Sequence, residues 1–120
     1  MGRKPFRPKV TFENSILRLA LRDAAVVTTR DIEVVIDVDE FGDPSGLEII
    51  GICEVLGENA LVRLAENLDG SEIRFSYDGA IDTVALGVGI AAGSRVRESV
   101  PKLGRAGLDA EGRWVTLDVA

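Results

Sequence analysis

One stretch of the sequence decides the fold class: Val34-Val-Ile-Asp-Val-Asp-Glu-Phe-Gly-Asp-Pro-Ser-Gly-Leu-Glu-Ile-Ile50. Two runs of mostly aliphatic residues, 34–38 and 47–50, flank a segment dense in Asp, Gly, Pro and Ser. Aliphatic β-branched runs favour strands, and this turn composition favours a chain reversal. The stretch therefore predicts a β-hairpin with a long acidic loop.

Apolar residues alternate with polar ones along the rest of both halves, which is typical of half-buried strands. The alternating positions are Val10, Phe12, Leu17, Leu19 and Leu21 in the first half, and Phe75, Tyr77, Val84, Leu86 and Val88 in the second. Residues 17–21 match 84–88 at an offset of 67, and the hairpin 36–49 matches 106–119 at an offset of 70. The two offsets predict a duplicated unit.

We therefore predict a mainly β, β-rich α+β fold that forms one globular domain. Two tandem antiparallel β repeats, residues 10–55 and 72–120, would pack about a pseudo-two-fold axis into a sandwich or barrel, because one repeat is too small to bury much apolar surface alone. A strand ending near Val55 closes the first repeat. Between the repeats, residues 56–71 predict one short connector helix, whose apolar positions are Leu61, Leu64, Ala65 and Leu68.

Three segments resemble the domain-of-unknown-function family 2283: Phe12–Leu21, Val35–Gly42 and Gly46–Gly51. The second copy keeps Tyr77-Asp78 and Asp82 of the family pattern, followed by Val84 and Leu86. It departs where Pro101–Gly104 interrupts the expected third strand and where Trp114 replaces a small residue. The resemblance implies a small β-rich bacterial or phage protein with no established chemistry.

The composition excludes several kinds of active site. The 120 residues include no His and one Cys, so the chain can form neither a His-dependent catalytic relay nor a Cys-rich metal cage. A single thiol fits a reducing compartment. The N-terminal residues lack the apolar segment of a secretory signal, and no apolar stretch approaches the length of a spanning helix. We expect a soluble cytoplasmic protein that is not an enzyme, needs no cofactor and has no membrane contact.

Charge is unevenly distributed along the chain. Residues 1–10 carry +4 from Arg3, Lys4, Arg7 and Lys9, whereas residues 11–60 carry −8 and residues 61–120 carry −2. An acidic body repels a phosphate backbone, so we expect no nucleic-acid contact except through this basic tail. We expect residues 1–9 to form a flexible solubilising end.

The acidic loop is a weak candidate for a divalent-cation site. Asp37, Asp39 and Glu48 stand at positions 1, 3 and 12 of a calcium-loop pattern. Phe41 occupies the fifth position, where an oxygen ligand is needed, and Pro44 occupies the eighth. The competing interpretation is a hairpin turn in which Asp39 caps backbone amides and a glycine, residue 42, adopts positive φ.

Four other features carry a chemical interpretation beside a structural one. The glycines of Gly87–Gly93 lack the spacing of a nucleotide loop and favour a thin strand or a bulge. Nothing in the spacing of Glu13, Asp78 and Asp82 forces two carboxylates into an acid–base pair. Cys53 lies in an apolar run and is expected to be a buried inert thiol. The arginines are expected to line a solvated strand face that could contact an anion; they are Arg18, Arg22, Arg95 and Arg97.

These observations favour a non-enzymatic protein-interaction or self-association module. One alternative is an antitoxin-like acidic partner that masks a small basic toxin by charge complementarity. A second alternative is a module that binds a small ligand or a weak divalent cation, calcium or manganese, in a barrel mouth.

Overall fold

The computed structural model describes residues 6–87 and 96–120. Eight strands and two helices follow one another within these two ranges. They are β1 (Lys9–Glu13), β2 (Ile16–Ala20), β3 (Thr28–Asp39), β4 (Pro44–Ile50), α1 (Ile52–Leu56), α2 (Glu58–Leu68), β5 (Arg74–Asp78), β6 (Thr83–Gly87), β7 (Val96–Leu108) and β8 (Trp114–Val119). The mainly β, antiparallel fold predicted from the sequence is confirmed.

All eight strands belong to one antiparallel sheet with the order β1-β2-β8-β7-β3-β4-β6-β5. The sheet curls into a half-barrel rather than forming two packed layers. Its centre is the long pairing of β3 with β7, which joins residues 28–39 to residues 96–108. The hairpin predicted for residues 34–50 is present as β3–β4, with a bulge between Asp37 and Val38.

If each of the first four strands is exchanged with the strand four places later, the result is the same strand order read from the opposite edge of the sheet. As a result, β1–β2 joins β8, and β5–β6 joins β4. Leu17 of β2 pairs with Val119 of β8. In the other half, Val84 of β6 pairs with Ile49 of β4. The offsets of 67 and 70 found in the sequence relate the two pairs, so each half of the chain places its first hairpin against the last strand of the other half.

Pro101 does not interrupt the second half, contrary to the expectation from the sequence. It lies inside β7 and pairs with Val35 of β3. Strand β7 pairs with β8 only over Gly104–Leu108, so at Pro101 strand β7 has a neighbour on one side alone among the described strands. A missing N–H at such a position need not remove a ladder hydrogen bond, and this is where strands tolerate proline.

The core lies on the inner face of the curled sheet, beneath the helices. Leu19, Ile49, Val84 and Leu117 are at most 2 % exposed, and burial of each such side chain stabilises the fold by about 1.5–3 kcal/mol. Helix α2 covers this face with Ala60, Leu64 and Leu68, which recur every fourth residue. The predicted Leu64 and Leu68 are confirmed as buried, whereas Ala65 is exposed and Ala60 takes its place.

The connector holds two helices rather than the one predicted, and the first repeat does not end in a strand near Val55. Strand β4 ends at Ile50, Gly51 adopts a φ of 73°, and α1 begins at Ile52. Glycine tolerates this left-handed conformation, which turns the chain away from the sheet. An apolar run cannot by itself distinguish a strand from a short helix, and the difference here is set by a distant aspartate described below. No helix in the described ranges is both long enough and apolar enough to cross a membrane.

Candidate functional site

The sheet is open at both ends, and its two edge strands are the main candidate for an interaction site. Among the strands that the structure describes, β1 pairs only with β2, and β5 pairs only with β6. An open edge presents a row of backbone N–H and C=O groups that can pair with another chain. The two edges occupy equivalent places in the two halves of the sheet.

Strand β5 has one apolar side and one polar side. Phe75 pairs with Leu86 and packs against the core, and Tyr77 follows on the same inner face with 37 % of its surface exposed. Arg74, Ser76 and Asp78 alternate with them on the outer face, and all three are exposed. Because β5 pairs only with β6 among the described strands, its side chains on both faces lie at the open edge.

Strand β1 is the counterpart of β5 but is less well covered. Val10 packs against the core, whereas Phe12, which pairs with Leu17, is 50 % exposed. Pro8 lies directly before the strand, and a proline next to an edge discourages pairing with another chain. The aromatic side chain of β1 thus remains accessible while its backbone edge is partly protected.

Asp82, in the turn between β5 and β6, organises the neighbouring helix. Its carboxylate accepts hydrogen bonds from the backbone N–H groups of Cys53 and Glu54, at 3.1 Å each, and from the hydroxyl of Tyr77 at 2.8 Å. Its backbone oxygen accepts the N–H of Gly51 at 2.8 Å. The first amide groups of a helix lack partners within the helix, and a carboxylate commonly caps them. Here the cap of α1 comes from a residue 28 positions further along the chain.

The thiol of Cys53 lies 3.6 Å from the hydroxyl of Tyr77, so Cys53, Tyr77 and Asp82 form one cluster. Burial raises the pKa of Cys53, and the hydrogen bonds with Cys53 and Asp82 raise the pKa of Tyr77. Desolvation acts to raise the pKa of Asp82, but the donors around it outweigh this effect and lower it. The cluster joins α1 to the β5–β6 turn, and the raised pKa of Cys53 does not favour the thiolate that a nucleophilic cysteine needs. Cys53 is half-buried and helical, not in the strand expected for it.

The two hairpin turns are built in the same way around a buried aspartate. Oδ1 of Asp39 accepts the N–H groups of Phe41 and Asp43, both at 2.9 Å. Seventy positions later, Oδ1 of Asp109 accepts the corresponding two N–H groups at 3.0 and 2.9 Å. Gly42 adopts a φ of 84°. The turn interpretation, in which Asp39 caps amides and Gly42 takes positive φ, is confirmed.

The other two residues of the weak cation candidate lie away from that turn carboxylate. Asp37 accepts a hydrogen bond from the hydroxyl of Ser99 at 2.7 Å, and Glu48 lies opposite Val35 on the neighbouring strand. No group of three His, Cys, Asp or Glu residues suited to a metal ion occurs in residues 6–87 and 96–120. In the structure these residues make contacts within the turn and between strands; they are Asp37, Asp39 and Glu48. Cation binding by them stays a prediction.

The three carboxylates considered as an acid–base pair are divided between the two ends of the sheet. Glu13 ends β1 at one edge, and Asp78 ends β5 at the other. Asp78 accepts the N–H of Ala80 at 3.0 Å, and Asp82 is occupied by the helix cap. Glu13 and Asp78 therefore lie on opposite edge strands of the sheet, whereas Asp78 and Asp82 lie at the same hairpin and each accepts backbone N–H groups.

The arginines form ion pairs within the fold. Arg18 donates two hydrogen bonds to Asp118, at 2.6 and 3.0 Å, on the outer face of the sheet. Arg22 and Arg113 both reach Oδ2 of Asp109, at 2.8 and 3.2 Å. Burial acts to raise the pKa of Asp109, but the amides of its turn and these arginines lower it to about 2. Arg95 and the side chain of Arg97 lie outside the described residues.

Part of the basic tail is structured. Lys9 is the first residue of β1, and Arg7 lines a depression of about 470 Å³ together with Asp69 and Glu72. Arg3 and Lys4 lie outside the described residues, as do positions 88–93 of the glycine-containing segment that follows Gly87. A smaller cleft of about 230 Å³ lies between α2 and the β7–β8 turn. Both depressions are lined by residues of both charge signs.

The sequence did not reveal which strands lie at the edges of the sheet. Alternation is visible at residues 9–13 and 74–78, and Pro8 beside Lys9 is a local sign of an edge at β1, but alternation is equally typical of internal strands. The capping role of Asp82 was also missed, because its partners Cys53 and Glu54 are distant in sequence. The only local signal for Asp82 is its place in a turn, Asp78-Gly-Ala-Ile-Asp82, where aspartate is common.

In comparisons with protein-family models, curated proteins and solved structures, no match was found. The resemblance to the domain-of-unknown-function family 2283 therefore stays a prediction.

Proposed function

We propose that this chain is a non-enzymatic protein-interaction or self-association module. The observation that supports it is the open sheet, because β1 and β5 expose backbone edges together with Phe12 and Tyr77. An open edge beside exposed aromatic side chains is a recurrent way for a domain to recruit a strand from a partner. The single thiol of the chain, Cys53, fits action in the reducing cytoplasm.

We further infer that the two halves arose by duplication of one β unit. The exchanged hairpins support this inference, since two copies of a smaller protein that traded hairpins as a homodimer would give the same strand order once fused. In such a fusion the exchanged hairpins pair with the last strand of the other half, and β1 and β5 remain as the edge strands.

An antitoxin-like acidic partner remains a second candidate, and the first hairpin turn favours it. Phe41 stands at the tip of this turn, 74 % exposed, between Glu40 and Asp43. The second turn is less acidic, because Arg113 stands at the position that corresponds to Asp43 and forms an ion pair with Asp109. An exposed aromatic with an acidic rim would suit a basic protein surface.

Size-exclusion chromatography with light scattering tests the proposal. We expect the purified chain to show a mass above 12.9 kDa that rises with concentration, or to elute with a bound protein when isolated from native lysate. A basic companion of constant stoichiometry would favour the second candidate. A monomer at every concentration, with nothing bound from lysate, would contradict the proposed function.

A further inference from the structure

The five residues of β5 read Arg74-Phe-Ser-Tyr-Asp78, and this order is complementary to itself when the strand is reversed. If β5 of one copy runs antiparallel to β5 of another about a two-fold axis at Ser76, Arg74 faces Asp78 of the second copy. Each Phe75 then faces a Tyr77. Directly opposite residues share one face of the sheet, so the charged pairs lie on the outer face and the aromatic pairs on the inner one.

We propose that β5 is the dimerisation edge of this protein and that its occupant is β5 of a second copy. This inference rests on the proposed function and names its partner. Two symmetric charge pairs, two aromatic pairs and a serine pair would join two sheets into one of sixteen strands. A parallel arrangement in the same register would place like charges opposite one another, which is unfavourable.

The other edge repeats the pattern but is less suited to pairing. Strand β1 reads Lys9-Val-Thr-Phe-Glu13, again with a cation first, a hydroxyl in the middle and a carboxylate last. A lysine on the edge and Pro8 directly before it are features that discourage edge pairing. Strand β5 has no proline near it, and its two aromatic residues offer larger cross-strand contacts than Val10 and Phe12 do.

Charge reversal on β5 tests the pairing directly. Arg74→Asp and Asp78→Arg should each weaken the dimer about tenfold, since each turns two attractive pairs into repulsive ones. An equimolar mixture of the two variants should restore a dimer, and so should the double variant, because both recreate opposite charges across the strands. The matched controls Lys9→Asp and Glu13→Arg make the same changes on β1 and should leave the dimer unchanged.

A cross-link locates the two-fold axis independently. In a Cys53→Ser background, Ser76→Cys should form a covalent dimer under mild oxidation, because position 76 faces itself across the axis. Thr11→Cys is the matched control on β1 and should remain uncrosslinked. Far-UV circular dichroism melts of every variant show that it is folded, which matters most for Asp78→Arg because Asp78 also accepts the N–H of Ala80.

The outcomes separate this inference from the proposed function. A wild-type dimer whose affinity ignores the β5 charge reversals, or whose mixed variants fail to recover, would overturn the inference and leave the interaction module standing. In a mixture of the Ser76→Cys and Thr11→Cys variants, a disulfide between the two different variants would show pairing of β5 with β1 and would also overturn it. A monomeric chain that binds no partner would overturn both.

Discussion

Replacing Asp82 by alanine should loosen the attachment of α1 to the β5–β6 turn. The substitution removes the acceptor for the amides of Cys53 and Glu54 and for the hydroxyl of Tyr77. It also places an alanine at a φ of 49°, a left-handed conformation that aspartate and asparagine tolerate better than alanine does. Asp82→Asn is the natural comparison, because asparagine keeps one acceptor oxygen and tolerates that backbone.

The magnitude follows from the contacts. Each hydrogen bond contributes about 0.5–1.5 kcal/mol net, and these lie near water, so the three together contribute about 2 kcal/mol. The alanine backbone adds about 1 kcal/mol. With an unfolding entropy of about 2.1 cal/mol/K per residue over 120 residues, a loss of about 3 kcal/mol lowers Tm by about 12 °C. Asp82→Asn should lose about 1 kcal/mol, or about 4 °C.

Thermal unfolding followed by circular dichroism measures the change, with Asp23→Ala as the control because Asp23 is an exposed acid in a loop. Amide hydrogen exchange should show faster exchange at Cys53 and Glu54 in Asp82→Ala while the centre of the sheet is unaffected. If Asp82→Ala lowers Tm no more than the Asp23 control does, the assignment of Asp82 as the cap of α1 is wrong.

Three further outcomes are expected. The pKa of Asp109 is lowered from its ordinary value of 3.8 to about 2 in the folded state, so its ionised carboxylate stabilises the fold above pH 3.8, and this stabilisation is lost as pH falls from about 4 to about 2. In Asp109→Asn the urea midpoint of unfolding should therefore change less with pH over that window. The same pH dependence of the midpoint in the variant and the wild type would contradict this prediction. Gly107→Ala would place a Cβ 2.5 Å from Oγ1 of Thr116 and 2.8 Å from Val26, and urea unfolding should show a free energy of unfolding lower by about 1–3 kcal/mol. Adding Val26→Ala should restore part of that loss. A Gly107→Ala variant as stable as the wild type would refute the close packing. Cys53 should be alkylated by iodoacetamide at pH 7 more slowly than free cysteine, because burial raises the pKa of its thiol. Mass spectrometry measures the rate of labelling, and labelling faster than that of free cysteine would rule out an inert thiol.

The hairpin turns show how far local sequence can be trusted at a candidate site. Asp39 and Gly42 form the turn that their order in the sequence indicates, and the same turn recurs at Asp109 and Gly112. Asx turns and positive-φ glycines depend on neighbours within four residues, so the sequence contains all the groups involved. The partners of Asp109 beyond the turn were not predictable, because Arg22 comes from 87 positions earlier.

The helical connector shows the opposite case. Residues 52–56 have the apolar composition of a strand continuing from β4, yet they form α1. The helix depends on Gly51 and on the carboxylate of Asp82, which reaches it from another hairpin. Local propensity differs little between the two conformations in so short a run, so a few hydrogen bonds from outside the segment decide between them.

The sequence by itself determined the strand content, the acidic hairpin turns, the burial of Leu64 and Leu68 on α2 and the two offsets that relate the halves, because each depends on periodicity or on neighbours within a few positions. Only the tertiary structure decided which strands meet. It placed β8 beside β2 and β6 beside β4, and it left β1 and β5 at the edges. Several segments have similar apolar patterns and could pair with one another, so the pairing that forms is determined by burial of the whole inner face rather than by any one segment.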